Sequence, residues 1–238
     1  METVSKKENK IVFKADIKES LGNAIRRYLN QISVLAINEV EINKNGSALY
    51  DETVAHRMGL IPLKMDKTTS EKTKASLKLA SKKEGIVTSG ELKGSIEPVY
   101  DNIPITFLDK GQEIEVVANV EAGKGVEHIK FSPGMMFYRN VSEIGLEKGF
   151  LEDLKKVCPE CDIKEKGGKI VVSDDKEKEV ADVVEGIANK AGKEAEVEVK
   201  PDLIITLESF GQMNIKDIFK KSIDALKGDL AEVSKKLK

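Results

Sequence analysis

The chain has no tryptophan, and only two histidines and two cysteines among its 238 residues. With seven Phe and four Tyr besides, it offers few platforms on which bases could stack. Two cysteines cannot build a disulfide framework, and alone they fall short of the four ligands of a zinc or iron–sulfur site. An excess of one charge is missing too: 39 Lys and Arg against 41 Asp and Glu leave a net charge of −2. No basic stripe is therefore set out to neutralise a run of phosphates, and autonomous nucleic-acid binding is disfavoured. No stretch approaches the roughly 18 to 20 apolar residues of a membrane span. The polar opening METVSKKENK offers no secretory leader. A soluble, cytoplasmic protein with no membrane partner is expected. A phosphate loop, a GxGxxG turn and an aspartate cluster for catalytic magnesium are likewise missing.

Arginine is scarce, at four of the 39 basic residues, and three of those four (Arg26, Arg27 and Arg57) fall between Leu21 and Pro62. Arginine presents a planar fork of donors that fixes a partner's geometry, whereas lysine is a mobile, hydrated point charge. The segment therefore reads as a docking surface in a lysine-rich exterior. Apolar residues at 40% and charged ones at 34% indicate a globular chain, long enough for one large or two to three small domains.

Apolar periodicity outlines the elements. Ile11, Phe13 and Ala15 alternate as in a strand. Leu21, Ala24, Ile25, Tyr28, Leu29 and Ile32 recur at three- and four-residue steps, the stripe of an amphipathic helix, with Asn23, Arg26, Arg27 and Asn30 off it. Val34 to Ile42 reads as a β-segment. Asp51 is placed to cap a short helix ending at Gly59, with Pro62 stopping it. From Thr68 to Gly85 the Lys/Ser/Thr-rich chain reads as an exposed excursion, followed by strand candidates at Gly85–Leu92, Ile105–Leu108 and Glu113–Val120. Glycines and Pro133 then frame a loop holding His128 and Lys130.

Residues 146–201 read as a separate small unit. It has a helix from Leu146 to about Cys158, a hairpin around Gly167 and Gly168, a second helix over Val180–Ala191 and a strand Ala195–Val199. Pro201 restarts the chain into a further strand, Leu203–Leu207. Last comes the clearest helix: Phe219, Ile223, Leu226, Leu230, Val233 and Leu237 step by 4, 3, 4, 3, 4, a coiled-coil seam on a rod of about 35 Å with Asn214 as its cap. Such a seam calls for a partner helix.

The candidate chemistry is thin. Cys158-Pro-Glu-Cys161 has metal or redox spacing, but no second pair exists and the helix signal lies before it rather than after, unlike a thioredoxin turn. His56 and His128 have no Ser, Cys or carboxylate partner at catalytic spacing, so structural or interface roles are favoured. The Asp/Glu run at Ser173–Glu179 reads as a solvated face. No catalytic residue is expected.

The ordered blocks LGNAIRRYL (Leu21–Leu29), AINEVEI (Ala36–Ile42), YDETVAHRMGLIPL (Tyr50–Leu63), EHIKFSP (Glu127–Pro133) and ESFG (Glu208–Gly211) carry a resemblance. The chain resembles the α-like subunits of DNA-directed RNA polymerase, and among them the archaeal form in particular. The resemblance spans nearly the whole length.

That resemblance implies an α+β fold in four segments. A dimerisation domain is split between residues 1–40 and 202–238, a mixed, mainly-β insert domain covers 41–145, and a small ferredoxin-like domain covers 146–201. It implies a non-catalytic scaffold of a nucleotidyltransferase complex, touching DNA only through that complex. An L-like small subunit would pair with Leu21, Ile25, Tyr28, Leu29, Ile32, Phe219, Ile223, Leu226, Leu230 and Val233. Asn23, Arg26, Arg27, His56, Arg57, His128 and Lys130 would meet the second-largest and largest subunits or small zinc-bearing subunits. Many archaeal relatives hold an iron–sulfur cluster in the third domain. Here the stretch Lys178–Ala188 has no cysteines where a CxxCxxC run is expected. The cluster is therefore expected to be absent, with Cys158 and Cys161 a vestigial pair and no other metal or cofactor.

Overall fold

The computed structural model describes residues 1–65, 69–70, 72–159 and 161–237. The described chain is α+β and mostly β. The strands are β1 (Glu2–Lys6), β2 (Lys10–Ala15), β3 (Ser33–Asn45), β4 (Lys74–Ser81), β5 (Gly85–Thr88), β6 (Lys93–Gly94), β7 (Pro104–Leu108), β8 (Ile114–Lys124), β9 (Gly134–Glu147), β10 (Asp162–Lys166), β11 (Lys169–Asp174) and β12 (Glu196–Ser209). The α-helices are α1 (Glu19–Tyr28), α2 (Asp51–Gly59), α3 (Leu151–Val157), α4 (Ala181–Lys190) and α5 (Ile215–Lys236). Two compact units divide the chain: residues 1–24 with 136–207, and residues 25–135 with 208–238.

The first unit is built on a six-stranded sheet in the order β1-β2-β12-β9-β11-β10. Helices α3 and α4 bury Leu154, Val184 and Ala188 with Ile144, Leu146, Ile170 and Val172 of the sheet. The β10–β11 hairpin turns on Gly167 and Gly168, both at positive φ (59° and 84°), a conformation that side chains with a Cβ rarely adopt. The fourth arginine works here. Arg139 Nη2 lies 2.9 Å from an oxygen of Asp174, which is 1% exposed, and donates to the Lys176 carbonyl at 2.7 Å. Asp174 is thus no part of a solvated face, because a buried carboxylate persists where a cation faces it. The contact is an ion pair by distance, without hydrogen-bond alignment.

The second unit holds a four-stranded sheet, β3-β8-β4-β6, a β5–β7 ribbon and α2. Its core gathers Leu35, Ile37, Val54, Met58, Ile61, Leu63, Leu77, Leu79, Ile105 and Val116, among others.

Several expectations are corrected. The polar opening contains β1, an edge strand held by backbone pairing with β2 (Thr3↔Phe13, Lys6↔Ile11) rather than by apolar alternation. The described part of the Thr68–Gly85 excursion includes β4, whose Leu77 and Leu79 are fully buried while Lys74, Ser76 and Lys78 face out. Positions 68 and 71 of that excursion lie outside the described residues. Leu146 belongs to β9, and the helix begins only at Leu151. Pro201 does not divide two strands: β12 runs through it, since its fixed φ suits extended backbone and costs only one ladder donor. Asp51 is the first residue of α2 rather than its cap; it accepts from Asn45 Nδ2 at 2.7 Å, and its charge sits at the positive end of the helix.

Candidate functional site

Two surfaces of the second unit bring together residues singled out by the sequence. On the first, the end of the α1 stripe meets α5. Ile25, Leu29 and Ile32 are buried on one side, and Ile215, Ile218 and Ser222 are buried on the other. Asn214 caps α5 by accepting from the Lys216 N–H at 3.0 Å. Tyr28 donates its hydroxyl to Asp229 Oδ2 at 2.9 Å, which ties α1 to α5 and raises the tyrosine pKa, chiefly through that hydrogen bond.

Burial divides the α5 seam. Phe219, Ile223 and Leu226 are half-buried, but Leu230, Val233 and Leu237 are 59%, 54% and 83% exposed. A helix that carries its apolar stripe past its own domain leaves that stretch for another surface. Leu21, at the other end of the α1 stripe, is 45% exposed. Arg26 and Arg27 are exposed, and Asn23 is half-buried.

The second surface surrounds the His128 loop. His128 Nδ1 accepts from the Lys130 N–H at 3.1 Å and so caps the 3-10 turn Ile129–Phe131. Lys130 Nζ donates to Asn38 Oδ1 at 2.9 Å and lies 5.1 Å from the Phe131 ring centre, and burial lowers its pKa. Arg57 donates from Nη1 to the Ile105 carbonyl at 2.8 Å, joining α2 to β7, so this arginine braces the unit. His56 beside it is exposed. Neither histidine faces a nucleophile through any hydrogen bond described.

Beside Lys130 lies an open cleft of about 410 Å³, lined by Leu60, Pro62, Tyr100, Ile103, Ile129, Lys130, Ser132, Ser209, Phe210 and Gln212. Two glycines allow its construction. A Cβ on Gly134 would lie 2.1 Å from the Glu208 carbonyl oxygen, and Gly211 has φ of 89° with Val99 2.5 Å from where its Cβ would stand. Tyr100, Ile103 and Gln212 carry no signal in the sequence; only the convergence of distant segments reveals them.

Cys158 and Cys161 are joined in a disulfide at the end of α3, with Cys158 packed into the core of the first unit. Among the described residues no group of three or more His, Cys, Asp and Glu could hold a metal ion. No described helix is long and apolar enough to cross a membrane.

Residues 40–137 match the family model described as the RNA polymerase Rpb3/RpoA insert domain. The chain is 32% identical to DNA-directed RNA polymerase subunit Rpo3 of Pyrococcus furiosus, covering 92% of this chain and 89% of that protein. It is 30% identical to the Rpo3 subunit of Pyrococcus horikoshii, over 94% and 92% of the two chains. A similar match, 35% identical over 68% of each chain, is found with Rpo3 of Methanosphaera stadtmanae.

Proposed function

Since the chain belongs to the Rpo3 family of α-like RNA polymerase subunits, we propose that it is a non-catalytic assembly subunit of DNA-directed RNA polymerase. In this reading both chain ends form a split dimerisation domain, which pairs with an L-like small subunit and recruits the two large subunits. The single observation that carries it is the bare end of α5, where Leu230, Val233 and Leu237 continue a seam that Ile215 and Ile218 begin in the core. Burying such residues in a dimer core is what drives obligate pairing. In the same reading Arg26 and Arg27, both exposed residues, face the second-largest subunit. In the same reading His56, His128 and the loop around Lys130 meet the largest subunit or a small zinc-bearing one.

Residues 146–201 are read as a ferredoxin-like domain that holds no iron–sulfur cluster. Such a cluster takes about four thiolates; the chain has two cysteines, and both are in the disulfide. The donor set does not fit the group.

Reconstitution from separate subunits tests the function. Leaving this chain out should stop the large subunits from joining and abolish templated RNA synthesis. A fully active enzyme without it refutes the proposal.

A further inference from the structure

The sequence has eleven asparagines, and one of them, Asn45, is followed by glycine. In such a dipeptide the glycine nitrogen attacks the side-chain amide carbon. The bond from that carbon to Nδ2 breaks, and ammonia leaves with the proton that the glycine N–H gives up. Water then opens the succinimide at either carbonyl, to aspartate or isoaspartate. Glycine permits the ring closure best because it has no Cβ, and the other ten asparagines all precede residues with side chains. In the folded chain every group this reaction needs is engaged. Asn45 stands opposite Ile114 at the end of the β3–β8 ladder. Its Nδ2 donates to the Leu49 carbonyl at 2.9 Å and to Asp51 Oδ1 at 2.7 Å. Its Oδ1 accepts from the Ser47 N–H at 3.1 Å and from Ser47 Oγ at 2.7 Å. Those four bonds use both donors and both lone pairs of the amide. The attacking atom is held as well, since the Gly46 N–H donates to the Glu113 carbonyl at 2.8 Å. Gly46 is nevertheless exposed, so hydrogen bonds rather than burial close the site.

A converted side chain does not fit this place. Aspartate puts an oxygen where Nδ2 stood, so the Leu49 carbonyl loses its donor and the Asp51 carboxylate meets a second one at hydrogen-bond distance. Two carboxylates that close repel. Isoaspartate also routes the main chain through the former side chain, which lengthens it by one carbon at the end of the ladder. Asp51 is the first residue of α2, and α2 sets the fully buried Val54 and Met58 in the core of the second unit. A change at an exposed strand end is thus passed to the core through one helix. We propose that Asn45–Gly46 is a one-way modification site. It is sealed while β3 and β8 stay paired, converts when that strand end opens, and cannot close again once converted. Strand ends open more readily than cores. Here the register shifts between Ile42 and Lys44, and beyond that shift lie the pairs Lys44↔Glu115 and Asn45↔Ile114. The site therefore records lost order in the second unit, independently of the assembly reading above.

Two measurements on the full-length chain decide it. In the first, the chain is kept at neutral pH either folded or in concentrated guanidinium chloride. Each asparagine is followed by peptide mass, and isoaspartate is counted with an isoaspartyl methyltransferase. Residue 45 should convert first in the denaturant, and at least about tenfold more slowly in the folded chain. Another asparagine converting first, or equal rates in the two states, overturns the seal. In the second, chain that has converted at residue 45 during long incubation in the folded state is separated by its added negative charge. Amide hydrogen exchange over Asp51–Gly59 should then be at least about tenfold faster than in unconverted chain. Exchange that is unchanged there, or changed no more than in α4 of the first unit, overturns the one-way step. Asn45→Asp supplies the aspartate product directly and should show the same acceleration in α2. If that variant does not fold, the chain converted after folding still decides.

Discussion

Tyr28 and Asp229, 201 residues apart, share a hydrogen bond of 2.9 Å that fastens α1 to α5. The bond needs the phenol protonated, so the folded chain holds the Tyr28 pKa above 10.0. A folded pKa above the unfolded one gives stability that is complete below pH 10.0 and lost as pH rises through the folded value. NMR titration of ring-labelled tyrosine should show Tyr28 ionising later than its unfolded value, and Asp229→Asn should bring it down. An unchanged Tyr28 titration in that variant contradicts the bond.

The two halves of α5 should respond differently to a charge. Ile218 is fully buried, and Ile218→Asp should cost about 3 kcal/mol or more. Leu230→Asp should change the stability of the isolated chain by less than about 0.5 kcal/mol. Denaturant unfolding of both variants checks this; equal losses mean that the far end of the helix packs on its own chain.

That helix is also where the sequence was most legible. Its 4, 3, 4, 3, 4 spacing and Asn214 cap need no distant information, and α5 runs over Ile215–Lys236 as the spacing implied. Spacing could not say where burial stops, because Leu226 and Leu230 are equivalent in sequence and differ only in what lies opposite. Strand β9 was illegible for another reason: Met135 and Phe137 point outward, while Val141 and Ser142 are buried in succession, so alternation fails. Gln212 carried no signal at all, since a glutamine becomes informative only once packing strands one of its atoms.

Acid should find Glu113 late. Lys44 and Lys82 each lie 2.9 Å from its carboxylate and hold its pKa at about 2, down from 4.5. A depressed carboxylate contributes stability that is present above 4.5 and fades as pH falls towards about 2. Glu113→Gln should flatten the stability–pH curve in that window and leave it unchanged at neutral pH apart from a constant offset. An unaltered acid limb rules the residue out as a contributor.

Backbone crowding at Gly134 sets up a sharp contrast with Gly149. A methyl at Gly134 meets the Glu208 carbonyl at 2.1 Å, whereas one at Gly149 meets nothing within 4 Å. Gly134→Ala should therefore destabilise by about 2 kcal/mol or more, and Gly149→Ala by less than about 0.5 kcal/mol. Thermal unfolding of the pair checks the ordering.

The reading of residues 146–201 as free of a cluster is checked by iron analysis of protein purified without oxygen. Substoichiometric iron and no charge-transfer absorbance are expected; one cluster per chain contradicts it.

The most direct test of the assembly claim is the native mass of this chain co-expressed with its candidate L-like partner. A 1:1 complex is the expected result, together with its loss in the Leu230→Asp, Val233→Asp double variant while the chain stays folded. An unaltered chain that remains a monomer beside a soluble partner, or a double variant that pairs as before, would contradict the claim.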